Sequence, residues 1–251
     1  MDARVITVVG IGADGWDGLP EASRAALRAA DVLLGGRRQL DLVPVGEAER
    51  VAWPSPLLAE LPGLIERYEG RAVAVLASGD PMFFGIGSTL AGMLGAHRLR
   101  VLPHPSSVSL ACARLGWPLE RVDVCSLVGR PAETLNALFA PGRRLLVLGA
   151  GRDAPLVVAG LLAGRGFAPS RMTVLCDLGA ETETARPGTA GEWDEPAGSA
   201  LNIVAVECEP GPDAAPLPRT AGLPDDVFEH DGQLTKSEIR AITLSRLGPL
   251  P

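Results

Sequence analysis

The sequence predicts an α/β fold with two lobes, and three observations lead to this prediction. Short apolar or β-branched runs alternate with helix-like segments, which is typical of parallel sheets. Hydrophobic residues make up 47% of the 251 positions, which is enough for a large buried core. Two prolines flank His104 at the end of a predicted strand, which indicates a junction. We therefore expect lobes over residues 1–103 and 104–209, with a ligand cleft between them.

The first lobe is predicted from its elements in chain order. The β-branched run RVITVV at residues 4–9 predicts a buried strand, and a glycine-rich loop follows it. A helix is expected to begin at Pro20, because proline suits the first helical position and Glu21 favours the first turn. Further strands are predicted at residues 31–34, 71–77 and 99–102, and helical segments at 55–68 and 86–94.

The second lobe continues the alternation. Strands are predicted at residues 122–127, 144–148, 172–176 and 201–207, and helices at 106–115, 132–139 and 154–165. The proline-rich stretch at 210–219 is expected to be a linker. Residues 220–251 contain a predicted amphipathic helix with Thr235 and Glu238 at capping-box spacing, and we expect it to start a further domain.

Composition and charge exclude several function classes. The net charge of −7 argues against sequence-independent nucleic-acid binding, which needs a basic surface. No apolar run reaches about 18 residues and the first residues lack a signal-peptide pattern, so we expect a cytoplasmic protein without a membrane segment. The four cysteines are too far apart in sequence for a zinc or redox motif, so we expect buried free thiols and no metal site.

The loop after the first strand contains the spacing G-x-G-x-x-G at residues 10–15. In dinucleotide-binding proteins this motif opens directly into a helix, and an acidic residue ends the second strand. Here several residues precede Pro20, and the second strand ends at Gly35 and Gly36. A nicotinamide-dependent oxidoreductase of the Rossmann type is therefore disfavoured but remains an alternative, as does a tight turn without a ligand.

Two further loops contain candidate ligand-binding residues. Gly79 permits close approach of another molecule, and Asp80 is held extended by the proline that follows. Its carboxylate either caps the next turn or faces a cationic ligand. Ser106 and Ser107 stand at a helix start, where hydroxyls cap the helix or free amides bind a ligand carboxylate.

The order of these loops resembles the tetrapyrrole (corrin and porphyrin) methylase family. The resemblance rests on VVGIGADGWDGLP, GDPMFFG and HPSSVSLACARLG and spans about residues 4–208. The segments GADGWDGL, LLGG and LASGDPMFFGIG are most similar to the E-type branch, whose members methylate carbon 5 in cobalamin biosynthesis. Ala13 and Asp14 depart from the commoner G-x-G-P-G-D form. The resemblance implies the two-lobed class III S-adenosylmethionine methyltransferase fold, with the donor in the inter-lobe cleft.

The resemblance also implies roles for individual residues. The donor would be S-adenosylmethionine, with S-adenosylhomocysteine as product. Gly79 and Asp80 would contact its methionine and ribose part, Ser106 or Ser107 its carboxylate, and Leu178 with neighbouring backbone its adenine. Asp80 is the candidate catalytic residue, as a proton acceptor or electrostatic guide. The complete expected donor-binding set is Gly10, Gly12, Gly79, Asp80, Pro81, Gly85, Ser106, Ser107 and Leu178.

The implied acceptor is a precorrin at the precorrin-6B or precorrin-7 stage. Arginines that follow strand ends are candidates for binding its carboxylates: Arg37, Arg38, Arg130 and Arg152. The tail resembles the start of a T-type methyltransferase domain, which is fused to the E-type domain in many bacteria, and the family resemblance implies a homodimer. A non-catalytic tetrapyrrole-binding partner of the T-type domain remains an alternative.

Overall fold

The computed structural model describes residues 5–214, 216–217 and 221–248. These residues form two five-stranded sheets with helices between the strands, which confirms the predicted α/β class. The first position of the predicted opening strand, Arg4, lies outside the described residues. Residues 215, 218 and 219 of the predicted linker also lie outside the described residues, as do residue 220 and residues 249–251.

The first sheet has the strand order β3-β2-β4-β1-β5. Its strands are β1 Ile6–Ile11, β2 Val32–Gly35, β3 Glu49–Ala52, β4 Val73–Ser78 and β5 Leu99–Leu102. All four neighbouring pairs are parallel, and β1 lies between β4 and β5. Because parallel strands end at the same edge of a sheet, the loops after β1 and β4 leave side by side.

Helices cover both faces of the first sheet. They are α1 Glu21–Arg28, α2 Arg37–Asp41, α3 Leu57–Arg67 and α4 Ile86–Leu94; the next helix, α5 Ser107–Leu115, follows β5. Alternate strand residues enter different cores: Val8 packs with Leu61 of α3 and Leu90 of α4, whereas Val9 packs with Leu27 of α1 and Leu40 of α2. This burial on both faces explains why the strands are continuous apolar runs.

The second sheet has the strand order β6-β7-β10-β8-β9. Its strands are β6 Asp123–Ser126, β7 Arg144–Leu148, β8 Arg171–Cys176, β9 Thr184–Thr189 and β10 Asn202–Glu207. Strands β6 and β7 are parallel. Helix α6, Ala154–Gly164, buries Val158, Ala159 and Leu162 among its core residues.

The described chain divides into two compact units. One comprises the described residues up to Arg121 together with Leu175–Ala185 and Leu201–Ile203. The other comprises Val122–Val174, Arg186–Ala200 and the described residues from Val204 onward. The division into lobes at residue 104 stays a prediction.

Several elements differ from the sequence prediction. The first strand extends to Ile11 and so includes Gly10, and Pro20 occupies the position before α1. Strands β3 and β9 and helix α2 were not predicted, because they are short or, like TARPGT in β9, largely exposed and interrupted by proline and glycine. The helix expected at 132–139 is a 3-10 helix over Ala132–Ala137.

The tail helix α7, Ser237–Leu247, corrects two predictions. Lys236 occupies its N-cap position and no side chain caps it, so the predicted Thr235–Glu238 capping box is wrong. Its apolar residues are distributed around the helix and none is buried, so it is not amphipathic. Arg240 connects this helix to the preceding segment, because its Nη1 donates a 2.6 Å hydrogen bond to the Asp225 carboxylate.

All four cysteines are free thiols, as predicted, but one is not fully buried. Cys112, Cys176 and Cys208 are buried, whereas Cys125 is half-buried on β6. Burial raises the pKa of the Cys208 thiol to about 11. Among the described residues, no helix combines the length and apolarity needed to cross a membrane, and no group of three or more potential ligand residues is placed to hold a metal ion.

Candidate functional site

The loops predicted to bind a ligand lie in the first compact unit and contact one another. Gly10, in β1, packs against the chain that follows β4. A methyl group added at Gly10 would lie 2.0 Å from the Gly79 carbonyl oxygen and 2.7 Å from the His104 amide nitrogen. The Gly79 amide donates to the Ile11 carbonyl at 3.0 Å. The first glycine thus permits three backbone segments to meet at one edge of the sheet.

Gly12 makes room for a side-chain pair in which the histidine is buried and the aspartate is partly exposed. The His104 side chain is only 7% exposed, and its Nε2 lies 3.2 Å from the Asp14 carboxylate. A methyl group at Gly12 would lie 2.7 Å from that Nε2 and 2.4 Å from an Asp14 oxygen. A methyl group at Gly18 would lie 1.9 Å from the other Asp14 oxygen. The aspartate that departs from the commoner family form therefore lies against two glycines and a histidine.

The central loop after β4 is a tight turn. Gly79 has φ +57°, a conformation that favours glycine, and its added methyl group would lie 3.2 Å from Ser106 Cα. The Asp80 Oδ1 accepts a 2.8 Å hydrogen bond from the Met82 amide. Pro81 is buried, and its carbonyl oxygen would lie 2.5 Å from a methyl group at Gly85. Asp80 thus shapes the turn with one carboxylate oxygen.

Ser106 and Ser107 occupy different positions at the start of α5. Ser106 is the N-cap, and its Oγ accepts from the Ser109 amide at 3.1 Å. Ser107 is the first residue of the helix and is exposed. The Ser106 hydroxyl is therefore engaged with the helix, whereas Ser107 is exposed.

The loop after β8 carries Leu178 in the same unit. Leu178 is buried, between Asp177 at φ +51° and Gly179 at φ +90°. A methyl group at Gly179 would lie 3.5 Å from Leu110 of α5 and 4.0 Å from the Asp14 amide nitrogen. This loop therefore lies beside both the glycine-rich loop and α5.

Among the candidate arginines, Arg38 is the one held at this edge. Its Nη2 donates to the Ser78 hydroxyl at 2.8 Å, directly before Gly79. Burial lowers the pKa of the Arg38 guanidinium, and the charge of Asp177 partly opposes that effect. Arg37 and Arg130 are exposed, and Arg152 donates to the Ala197 carbonyl at 3.0 Å in the other unit.

The central loop also exposes an apolar surface. Met82, Phe83 and Phe84 are 47%, 40% and 46% exposed, although each is a large apolar side chain. The two phenyl rings pack edge to face with their centroids 4.9 Å apart. Exposed apolar surface beside a glycine loop suits a planar organic ligand.

Sequence reasoning missed two polar pairs at this edge. The Asp14–His104 pair joins residues 90 positions apart, and Arg114 on α5 binds Glu183 across 69 positions. The unusual aspartate at position 14 was a sequence feature that could have indicated the Asp14–His104 pair. Nothing in the sequence pattern indicated the Arg114–Glu183 pair. The close backbone packing at Gly10 and Gly79 lies at the carboxyl ends of parallel strands, which is where α/β folds bind ligands.

Comparison with protein families gives two matches. The model described as tetrapyrrole (corrin/porphyrin) methylases matches residues 5–194. The model described as a precorrin methyltransferase domain matches residues 226–251.

Curated relatives agree with the first match. A precorrin-6Y C(5,15)-methyltransferase [decarboxylating] from Mycobacterium tuberculosis is 44% identical over 98% of this chain and 62% of its own length. A cobalt-precorrin-7 C(5)-methyltransferase from Salmonella typhimurium is 31% identical over 71% of this chain and 88% of its own length. The chain thus spans about three fifths of the mycobacterial relative and nearly all of the shorter one.

Solved structures of methylases have a fold similar to that of this chain. A precorrin-6Y methylase from Archaeoglobus fulgidus has a TM-score of 0.63 and 29% identity, over 82% of this chain and 98% of its own. A uroporphyrin-III C-methyltransferase from Thermus thermophilus, complexed with S-adenosylhomocysteine, has a TM-score of 0.60 and 20% identity. That alignment covers 81% of this chain and 92% of the Thermus chain.

Proposed function

Because the chain belongs to the tetrapyrrole (corrin/porphyrin) methylases, we propose that it transfers a methyl group from S-adenosylmethionine to carbon 5 of a precorrin in cobalamin biosynthesis. The observation that carries the proposal is the packing of Gly10, Gly79 and His104 at one sheet edge, beside the loop that holds Leu178. The names of the mycobacterial and Salmonella relatives support carbon 5 as the position.

The residues at this edge fit the parts of the donor. S-adenosylmethionine supplies a methyl group that its sulfonium already activates, so the protein has mainly to align the reactants and exclude water. Gly79 and Asp80 bind the methionine and ribose part, and the buried Leu178 packs against the adenine. Ser107 binds the carboxylate with its exposed hydroxyl, while Ser106 caps α5.

We propose that Asp80 acts on charge at the reacting carbon. Its Oδ1 is engaged with the Met82 amide, which orients the carboxylate and leaves the second oxygen for the ligand. A carboxylate in this position stabilises the positive sulfonium and accepts a proton from the acceptor carbon.

The acceptor is proposed to lie against the apolar surface of Met82, Phe83 and Phe84, because a tetrapyrrole presents a broad apolar face. Its carboxylates require cations, and Arg38 supplies one beside the donor loops. We propose a T-type methyltransferase domain as the partner of the tail, supported by the second family match. The family resemblance favours a cytoplasmic homodimer.

The first test is calorimetric titration of the 251-residue chain with S-adenosylhomocysteine, with NADH as a control. We expect saturable binding of the first alone, weakened in Asp80→Ala. Incubation with precorrin-6Y and methyl-labelled S-adenosylmethionine should then label the macrocycle at carbon 5, as located by NMR. Binding of NADH alone would restore the oxidoreductase alternative, and donor binding without turnover would favour a non-catalytic tetrapyrrole-binding role.

A further inference from the structure

The loop at residues 177–183 has a backbone conformation that needs external support. Asp177 adopts φ +51°, which is unfavourable for a residue with a side chain, and Gly179 adopts φ +90°. The Asp177 amide donates to the Leu201 carbonyl at 3.0 Å, and the Ala180 amide donates to the Asp177 carbonyl at 2.9 Å. These bonds hold the two ends of the turn around Leu178.

Glu183 supplies the support at the centre of the turn. Its Oε2 accepts a 2.8 Å hydrogen bond from the Gly179 amide, directly after Leu178. Arg114 binds the same carboxylate with two nitrogens, Nε to Oε1 at 2.5 Å and Nη2 to Oε2 at 3.0 Å. Such a bidentate pair fixes the orientation of the carboxylate as well as its position.

Arg114 connects this turn to the other donor-binding segment. It lies in the last turn of α5, the helix that begins at Ser107 and is capped by Ser106 beside Gly79. Leu110 of the same helix also packs beside Gly179. Glu183 therefore links the Leu178 turn to the helix whose first turn faces the central loop.

The electrostatics keep this link intact at neutral pH. The Arg114 guanidinium, followed by the Gly179 amide, holds the pKa of Glu183 below its usual range. The Glu183 side chain is 21% exposed, so water competes less for its oxygens than for those of an open surface pair.

We propose that Glu183, held by Arg114, is a positioning residue for the donor: it fixes the backbone at Leu178 and Gly179 against which the adenine binds. The inference rests on the proposed function, because that function places the adenine at Leu178. Glu183 acts through the Gly179 amide and does not itself touch the donor.

The test compares Glu183→Ala with Glu183→Gln, which keeps an oxygen that accepts from the Gly179 amide. Calorimetry measures binding of S-adenosylhomocysteine and of 5′-methylthioadenosine, which has the adenosine part but lacks the amino acid. We expect Glu183→Ala to weaken both ligands by about tenfold, because a hydrogen bond to a charged group is lost, and Glu183→Gln to restore most of the affinity. In steady-state assays the donor KM should rise, while kcat and the acceptor KM stay unchanged.

Glu21→Ala is the matched control, since it removes a carboxylate that pairs with Arg28 at 2.8 Å on α1. It should leave both dissociation constants unchanged. If the unaltered chain binds both ligands and Glu183→Ala binds them equally well, this inference is overturned while the proposed function stands. Equal weakening by Glu183→Ala and Glu183→Gln would also overturn it. Failure of the unaltered chain to bind S-adenosylhomocysteine would overturn the proposed function and the inference together.

Discussion

At the scale of single residues, the glycines in β1 and in the loop after it make room for different neighbours. Gly10 lets the Gly79 carbonyl and the His104 backbone approach β1, whereas Gly12 and Gly18 leave room for the Asp14 carboxylate. Gly63, in the middle of α3, has no heavy atom within 4 Å of an added methyl group. The same substitution should therefore have opposite effects at Gly10 and Gly63.

We expect Gly10→Ala to lower the free energy of unfolding by about 2 kcal/mol or more, since its methyl group would overlap backbone atoms that cannot rotate away. Gly63→Ala should raise it by about 0.5–1 kcal/mol, because alanine loses less entropy than glycine in a helix. Urea unfolding followed by circular dichroism measures both. Equal stability of Gly10→Ala and the unaltered chain would contradict the close packing at β1.

At the scale of elements, helix α5 joins two parts of the site. Its N-cap Ser106 lies beside Gly79, and its last turn holds Glu183 through Arg114. The two serines at its start were alternatives for the donor carboxylate, and the structure separates their environments. Ser106 bonds the Ser109 amide, while Ser107 is exposed.

Ser106→Ala should therefore destabilise the protein by about 1 kcal/mol through loss of the cap, and Ser106→Asp should restore stability. Ser107→Ala should change stability by less than about 0.5 kcal/mol, as is usual for an exposed position. Under the proposed function, Ser107→Ala should nevertheless weaken S-adenosylhomocysteine binding. Thermal unfolding and calorimetry on the same samples separate the two effects. A stable Ser106→Ala variant would show that the cap is dispensable.

At the scale of the whole molecule, two segments of the chain match different family models. Residues 5–194 match the methylase family, and 226–251 match a precorrin methyltransferase domain. Helix α7 lies in the second segment, and none of its residues is buried.

Under the proposed function the carbon-5 activity belongs to the first segment, so we expect the 251-residue chain to add one methyl group to precorrin-6Y and to release no carbon dioxide. Mass spectrometry of the product and a carbon dioxide assay test this expectation. The full-length mycobacterial relative, named for methylation at positions 5 and 15 with decarboxylation, is the positive control. Release of carbon dioxide by the present chain would contradict this expectation.

The predictable part of the fold came from local patterns. Helix α4 and strands β5 and β7 lie where the sequence places them, because apolar runs bounded by glycine or charged residues specify burial without reference to distant contacts. Strand β9 carries no such pattern, since its residues are largely exposed and it depends on pairing with the sheet. Strand β9 therefore forms because β8 lies beside it in the sheet.

The sequence by itself determined the α/β class, the glycine loops at strand ends and the family to which these loops are similar. Only the tertiary structure decided which side chains fill and brace those loops. Asp14 meets His104, and Glu183 meets Arg114, across long stretches of chain. Such contacts depend on strand order and helix placement, whereas hydrophobic periodicity and turn preferences act over a few neighbouring residues.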